Sequence, residues 1–248
     1  MNMKSHIFSI KNLTSIILFE NENFVAINKP SGLLSIPDRK QQHTSLKDLL
    51  EKKYTKIYIV HRLDRDTSGV IVFAKNAVAH QHLSQLFENR QVTKYYLGLV
   101  QGNPSPVSGT IELPIAAHPT KKGLMVIHSK GKTAITDYET INQSHKISLI
   151  KFQIHTGRTH QIRLHAKSLG HPIVCDSLYG NGTPIFLSNI KRNFKLSKSE
   201  ETEKPLLARL GLHSYQVSFK GLQGDAISIT ADLPKDMKAL YTQLKKNE

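Results

Sequence analysis

The 248-residue sequence has no tryptophan, a single cysteine, and 19 acidic residues against 34 lysines and arginines. The lone Cys175 excludes a disulfide framework within the chain and a cysteine-rich zinc module, and it fits a reducing compartment. Long apolar runs are missing too. The longest uninterrupted one is Val70 to Ala74, far short of the ~18 residues a spanning helix needs. Lys11 and Asn12 break the N-terminal apolar stretch before it could serve as a signal-peptide core. The shortage of acid leaves a net charge of +15 and a pI near 9.8. Such a surplus predicts a polyanionic partner, nucleic acid first and an anionic membrane surface second. With 39% hydrophobic residues the chain can bury a sizeable core as one large domain or two small ones. The expectation is a basic, soluble, cytoplasmic protein.

Along the chain, residues 1–15 read as a polar arm and 16–248 as one domain. Ile16–Asn28 predicts two short strands around a polar Glu20–Asn23 turn, stopped by Lys29-Pro30-Ser31-Gly32. Ser45 caps a predicted short helix with Leu46, Leu49 and Leu50 on one face. Strands are expected at Ile57–Val60 and Val70–Lys75, flanking the charged segment HRLDRDTSG. Ala79, Leu83, Leu86 and Phe87 recur at helical spacing over residues 77–90. Thr93–Val100 alternates like a strand, with Lys94 and Tyr96 on one face and Tyr95 on the other. Gly102–Gly109 reads as a turn region, and further strands are expected at 134–141, 147–155 and 213–219. Thr159 is a suitable N-cap for a helix with Ile162, Ala166 and Leu169 on one face and Gly170 as its stop. The charge-dense stretch 187–204 reads as a surface insertion or loop. Strand-rich, without regular βαβ alternation, the pattern predicts an α+β fold with a mixed or antiparallel sheet.

Two segments concentrate chemistry. His61-Arg62-Leu63-Asp64-Arg65-Asp66-Thr67-Ser68-Gly69 fits either a solvated, salt-bridged turn or a carboxylate held ionised by arginines at a strand end, free to act as nucleophile or base. Thr156-Gly157-Arg158-Thr159-His160-Gln161-Ile162-Arg163-Leu164-His165 fits a polar helix start or an anion clamp of arginine forks and free amides. Asp66-Thr67-Ser68-Gly69 echoes an aspartic-protease loop, but no second copy exists to complete a dyad. Gly131-Lys132-Thr133 echoes the end of a phosphate-binding loop, yet Val126 stands where that loop needs glycine. His155, His160 and His165 lie five apart, about 140° per step on a helix, so they form no single metal face.

Together these residues resemble the RluA family of RNA pseudouridine synthases. The similarity runs in order through Asn28-Lys29-Pro30-Ser31-Gly32-Leu33-Leu34, His61-Arg62-Leu63-Asp64 with Thr67-Ser68-Gly69, Lys94-x-Tyr96, and Gly157 through His165. It continues through His171-Pro172-Ile173 with Asp176 and Tyr179-Gly180, and ends at Leu212-His213. Cys175 stands where the family usually has glycine and Ser214 where it usually has alanine. Because the first motif begins at Asn28, the expectation is a short form without the S4-type RNA-binding domain.

The resemblance implies the pseudouridine-synthase fold, a central and mostly antiparallel mixed sheet flanked by helices and loops. It implies Asp64 as the catalytic carboxylate, with Arg163 pairing it (Arg158 second) and Tyr96 stacking on the uracil. His61, Arg62, Arg65, Arg158, Thr159, Gln161 and Leu212 are implied as substrate- or RNA-binding, with Arg62 filling the space a flipped base vacates. The implied partner is rRNA or tRNA, neither DNA nor membrane, with a monomeric enzyme and no cofactor or metal. Two rivals are weighed against it. Asp64 and Asp66, about 6–7 Å apart in extended chain, could be the carboxylate pair of a glycoside hydrolase, but such an enzyme has no use for the charge, and its clefts usually offer tryptophan. A catalytically inactive RNA-binding or ribosome-assembly protein of the same fold is the second, and it has no use for Asp64, Tyr96 and Arg163 together.

Overall fold

The computed structural model describes residues 13–38, 42–144, 146–191, 193–196 and 201–246. Much of the expected arm, and residues 192 and 197–200 of the expected insertion, lie outside them. The chain divides into two compact units, Met1–Val92 with Val217–Ala231 and Thr93–Gln216 with Asp232–Glu248.

The first unit is built on strands β1 (Ile17–Glu20), β2 (Phe24–Lys29), β3 (Tyr58–Ile59) and β4 (Ser68–Ala74). β2 pairs antiparallel with β1 on one side and β4 on the other, and β3 pairs antiparallel with β4. The Asn21 side chain accepts the amides of Asn23 and Phe24, which makes the tight β1–β2 turn. β4 is buried at every residue, and for that reason it reads as an unbroken apolar run rather than an alternating one. Helix α1 (Leu46–Glu51) opens with a full capping box between Ser45 and Asp48. Helix α2 (Ala77–Glu88) is capped by Asn76 and presents Ala79, Leu83 and Leu86 to a core of Phe24, Val70, Val72 and Phe219.

The second unit holds β5 (Thr93–Gln101), β6 (Ser108–Glu112), β7 (Ile115–Ala117), β8 (Met125–Ile127), β9 (Ile135–Gln143) and β10 (Ile147–Ile154). β10 lies antiparallel between β5 and β9, β6 pairs with the far side of β9, and β7 with β8 makes a separate hairpin. Helix α3 (Gln161–Ser168) follows β10, and helix α4 (Lys235–Lys246) buries Met237, Leu240 and Leu244 against Leu97, Leu99 and Leu149. Strand β11 (Leu212–Lys220) begins in this unit and ends in the first, where β12 (Ala226–Thr230) pairs with it.

Most expected elements form within a residue or two, and the α+β class holds. The start of α3 differs. Its N-cap is His160 in the left-handed region (φ 58°) without a side-chain cap, so Thr159 lies outside the helix. Gln161, the first helical residue, braces the turn before it: its Oε1 accepts from the amide of Arg158 and from the Thr156 hydroxyl. Gly170, at φ 84°, ends the helix as predicted. The described part of 187–204 includes a 3-10 turn, Leu187–Asn189, whose Ser188 amide donates to Glu203. Strand β6, the β7–β8 hairpin, β12 and α4 were not anticipated.

Gly98 on β5 is a packing constraint beside the expected site strand. A Cβ there would sit 2.8 Å from Phe152 Cε2, 3.1 Å from Ile173 Cδ1 and 3.5 Å from Leu212 Cδ1. Gly98→Val should therefore lower unfolding free energy by about 1–3 kcal/mol, measured by urea denaturation. An unchanged midpoint would mean that Phe152 and Ile173 move aside freely.

Candidate active site

The loop carrying Asp64 is held by backbone hydrogen bonds from the segment after β2. Lys29 is fully buried, and its ammonium donates to the carbonyls of Pro30 (3.0 Å), Leu33 (2.8 Å) and Arg65 (2.9 Å). The Ser35 hydroxyl donates to the Leu63 carbonyl (2.8 Å) and accepts from the Leu63 amide (3.1 Å). The Gly32 amide donates to the Arg65 carbonyl at 2.9 Å, Arg65 Nε returns a bond to the Gly32 carbonyl at 3.1 Å, and Ser31 Oγ reaches the Asp66 carbonyl. Gly32 sits at φ 84°, a conformation glycine adopts without strain. The residues on both sides of Asp64 are thus fixed by neighbours remote in sequence, and the loop closes with a bond from the Thr67 amide to the Asp64 carbonyl. The Asp64 side chain is half-buried, and Arg62, Arg65 and Asp66 are exposed.

His61, expected to touch RNA, makes contacts within the protein. Its Nε2 accepts from the Val72 amide at 3.0 Å, and its ring stacks on Phe87 with centroids 4.7 Å apart.

In the second unit, Arg163 is buried and forks onto Asp176, Nε to Oδ2 at 2.7 Å and Nη2 to Oδ1 at 2.6 Å. Asp176 Oδ1 also accepts the amides of Leu178 and Tyr179. Burial raises the Asp176 carboxyl pKa, but the Arg163 hydrogen bonds and charge, with those two amides, outweigh it and hold the group below the usual carboxylate range. The guanidinium carbon of Arg163 lies 5.0 Å from the centroid of the Tyr179 ring. The Tyr179 hydroxyl accepts from the Met125 amide (2.9 Å) and shares a hydrogen bond with His160 Nδ1 (2.7 Å). The motif around Arg163 and the motif around Asp176 and Tyr179 therefore meet in one cluster. Sequence reasoning noted Asp176 and Tyr179 within a motif but assigned them no role.

Several expected RNA-binding residues also make contacts within the protein. Gln161 is buried and donates to the Ile135 carbonyl and to Thr136 Oγ1 while its oxygen holds the turn before α3. Arg158 Nε donates to the Thr133 carbonyl, and Thr159 is half-exposed. Tyr96 and Lys94 are buried on β5. Burial lowers the Lys94 pKa. Tyr95 points the other way, with the Lys151 ammonium 4.3 Å from its ring centroid. Leu212 is buried next to Gly98. Cys175 adopts φ 58°, which explains glycine at that place in the resembled family, and burial pushes its thiol up to about 11.

Among the described residues, no group of three His, Cys, Asp or Glu side chains could hold a metal ion, and no helix is long and apolar enough to cross a membrane.

Comparison with known proteins decides the family. Residues 23–168 match the RNA pseudouridylate synthase family. This chain belongs to that family. An uncharacterised RNA pseudouridine synthase of Bacillus subtilis is 36% identical over 236 residues, covering 90% of this chain and 70% of that protein. Ribosomal large subunit pseudouridine synthase D of Buchnera aphidicola is 35% identical over 248 residues, covering 95% and 75%. The dual-specificity RNA pseudouridine synthase RluA of Vibrio vulnificus is 35% identical over 210 residues, covering 82% and 76%. Among solved structures, human RNA pseudouridylate synthase domain containing 4 superposes with a TM-score of 0.73 at 25% identity, covering 95% of each chain. The protein is an isomerase of RNA uridine.

Two outcomes follow from the pseudouridine synthase framework. Lys29→Met removes the ammonium from the carbonyls of Pro30 and Leu33 and unties the Arg65 carbonyl, which keeps only its Gly32 partner among the bonds above, and should cost about 2–4 kcal/mol of stability by urea denaturation. His165 is buried, with Nε2 against the Leu113 carbonyl and Nδ1 against Thr136 Oγ1. A carbonyl only accepts, so Nε2 carries a proton. Burial lowers its pKa, partly opposed by that carbonyl. Its stabilisation is therefore fully present above the unfolded value of about 6.5 and is lost as pH falls below it. The melting temperature should drop between about pH 7 and pH 5, and His165→Asn should flatten that dependence. An equally steep dependence in His165→Asn would assign the effect elsewhere.

Proposed function

We propose that this enzyme converts specific uridines in structured rRNA or tRNA to pseudouridine, with Asp64 as the catalytic carboxylate. The observation that carries the proposal is the fixed loop around Asp64. Lys29, Ser31, Gly32 and Ser35 hold the backbone of Leu63, Arg65 and Asp66, which sets the Asp64 carboxylate on a braced stretch of backbone. Such preorganisation is what a positioned catalytic group requires.

The reaction breaks the N1–C1′ bond, turns the uracil, and forms a C5–C1′ bond. C5 then loses its proton to solvent and N1 ends protonated, so no atom is gained and no electron is transferred. A carboxylate meets the demand of the first step, whether by attack on the sugar or by removing a sugar proton as the glycosidic bond loosens. Tyr96 stacks on the uracil, and Leu212 packs against the base. Arg163, oriented by Asp176 and Tyr179, is the arginine this reading assigns to pair with the reacting carboxylate. The target uridine leaves its stack at a cost of a few kcal/mol, and exposed Arg62 fills the space it vacates. Arg65, Arg158 and Thr159 meet the RNA backbone.

Tritium release from C5-tritiated uridine in unmodified rRNA and tRNA tests this reading. Wild type should release tritium from at least one pool, and Asp64→Asn should reduce the rate at least about 10³-fold, the scale of losing an essential catalytic group, while RNA affinity holds. Full activity in Asp64→Asn would remove Asp64 from its role. No release from either pool, with salt-sensitive RNA binding intact, would favour an inactive RNA-binding protein.

A further inference from the structure

The geometry points to a second RNA contact: the β7–β8 hairpin and the turn after it form a phosphate-binding strip, with Lys121, Lys122, Lys130 and Lys132 as its cations and Arg158 beside them. This inference rests on the RNA-modifying reading above and names an element that reading does not use.

Charge comes first. From Leu113 to Ala134 the chain carries four lysines and two histidines and no acidic residue. All four lysines are exposed, and none takes part in an ion pair among the described residues. The same stretch has no Phe, Tyr or Trp, so it offers no large aromatic ring on which a base could stack. Cations without such platforms suit the sugar-phosphate backbone, which positions an RNA without reading its sequence.

Rigidity is the second observation. His118 Nδ1 accepts from the amides of Thr120 (3.2 Å) and Lys121 (3.0 Å), and His128 Nδ1 accepts from the amide of Lys130 (3.1 Å). Each lysine-bearing turn is thus wrapped around an imidazole. Lys132 exchanges both backbone hydrogen bonds with Ile115, and a Cβ on Gly131 would lie 2.6 Å from the Ile115 carbonyl carbon, so the turn is tight against the hairpin. A merely solvated basic face needs no such bracing, whereas a docking surface gains from it because less order is lost on binding.

Anchorage is the third. Leu124 and Met125 pack against Ile115, Ala134, Leu164 and Tyr179, and the Met125 amide bonds the Tyr179 hydroxyl. Arg158 Nε holds the Thr133 carbonyl at 2.9 Å. The strip is thereby fastened to the segment that carries Arg163.

The test is fluorescence anisotropy of a labelled, unmodified RNA stem-loop of arbitrary sequence across a salt titration. Wild type is compared with a strip variant, Lys121→Gln, Lys122→Gln, Lys130→Gln and Lys132→Gln. A control variant, Lys56→Gln, Lys220→Gln, Lys235→Gln and Lys238→Gln, removes the same charge from other exposed sites. The strip variant should flatten the log–log salt slope by about three and weaken low-salt binding about tenfold or more, with a clearly smaller change in the control. Equal losses in both variants would assign the effect to net charge and overturn the strip. So would unchanged RNA binding by the strip variant, including the case where it instead loses binding to phosphatidylglycerol vesicles. If the quadruple variant fails to melt like wild type, Lys121→Gln with Lys122→Gln alone should flatten the slope by about half as much. Tritium release separates the two readings. A strip effect without release in wild type leaves the strip standing and removes the catalytic proposal, and release without a strip effect does the reverse.

Discussion

A single buried ammonium organises the side of the first unit that carries Asp64. Removing a lysine charge from water is expensive, and it is tolerated only where polar partners surround the group. At Lys29 those partners include three backbone carbonyls, and one belongs to Arg65, 36 residues further along the chain. The interaction is therefore a tie between two segments. Pro30 and Gly32 bend the first segment so that its own carbonyls face the ammonium, and Ser31 and Ser35 extend the tie to Asp66 and Leu63. The Asp64 loop has little apolar material of its own; it is ordered from outside.

Arg163 is ordered by the same logic with the charges reversed. A guanidinium fork matches a carboxylate in plane and spacing, so Asp176 fixes its direction as well as its charge. Tyr179 supports one face of the guanidinium while its hydroxyl is spent on Met125 and His160. Cys175, next to Asp176, accepts a left-handed conformation that costs a side chain roughly 1–2 kcal/mol. Burial among Leu207, Leu97 and Val174 offsets that cost.

The strands and helices with clear periodicity were legible because burial and pattern agree there: β4 as a solid apolar run, α2 by its recurring Ala79, Leu83 and Leu86. What escaped was short or polar. The β7–β8 hairpin has three residues per strand, too few to establish alternation, and α4 carries only three buried apolar residues among lysines. Asp64, Tyr96 and Arg163 were singled out from motif resemblance, and the structure adds the supports around Asp64 and Arg163. The internal bonds of His61 and Gln161 were not legible either, because a sequence does not tell whether a polar side chain in a charged segment faces solvent or a distant backbone group. Thr159 lies outside α3 because the N-cap is His160, in a left-handed conformation, with no side-chain cap.

The central claim is that catalysis depends on how rigidly the Asp64 loop is held. Single-turnover pseudouridine formation at saturating enzyme measures this most directly, with Ser35→Ala compared with wild type and Ser35→Thr. Ser35 touches only the Leu63 backbone in this loop, so it acts as a positioning residue. The account predicts a rate lowered about tenfold or more in folded Ser35→Ala, with RNA affinity unchanged and substantial recovery in Ser35→Thr. A wild-type rate in Ser35→Ala would contradict it.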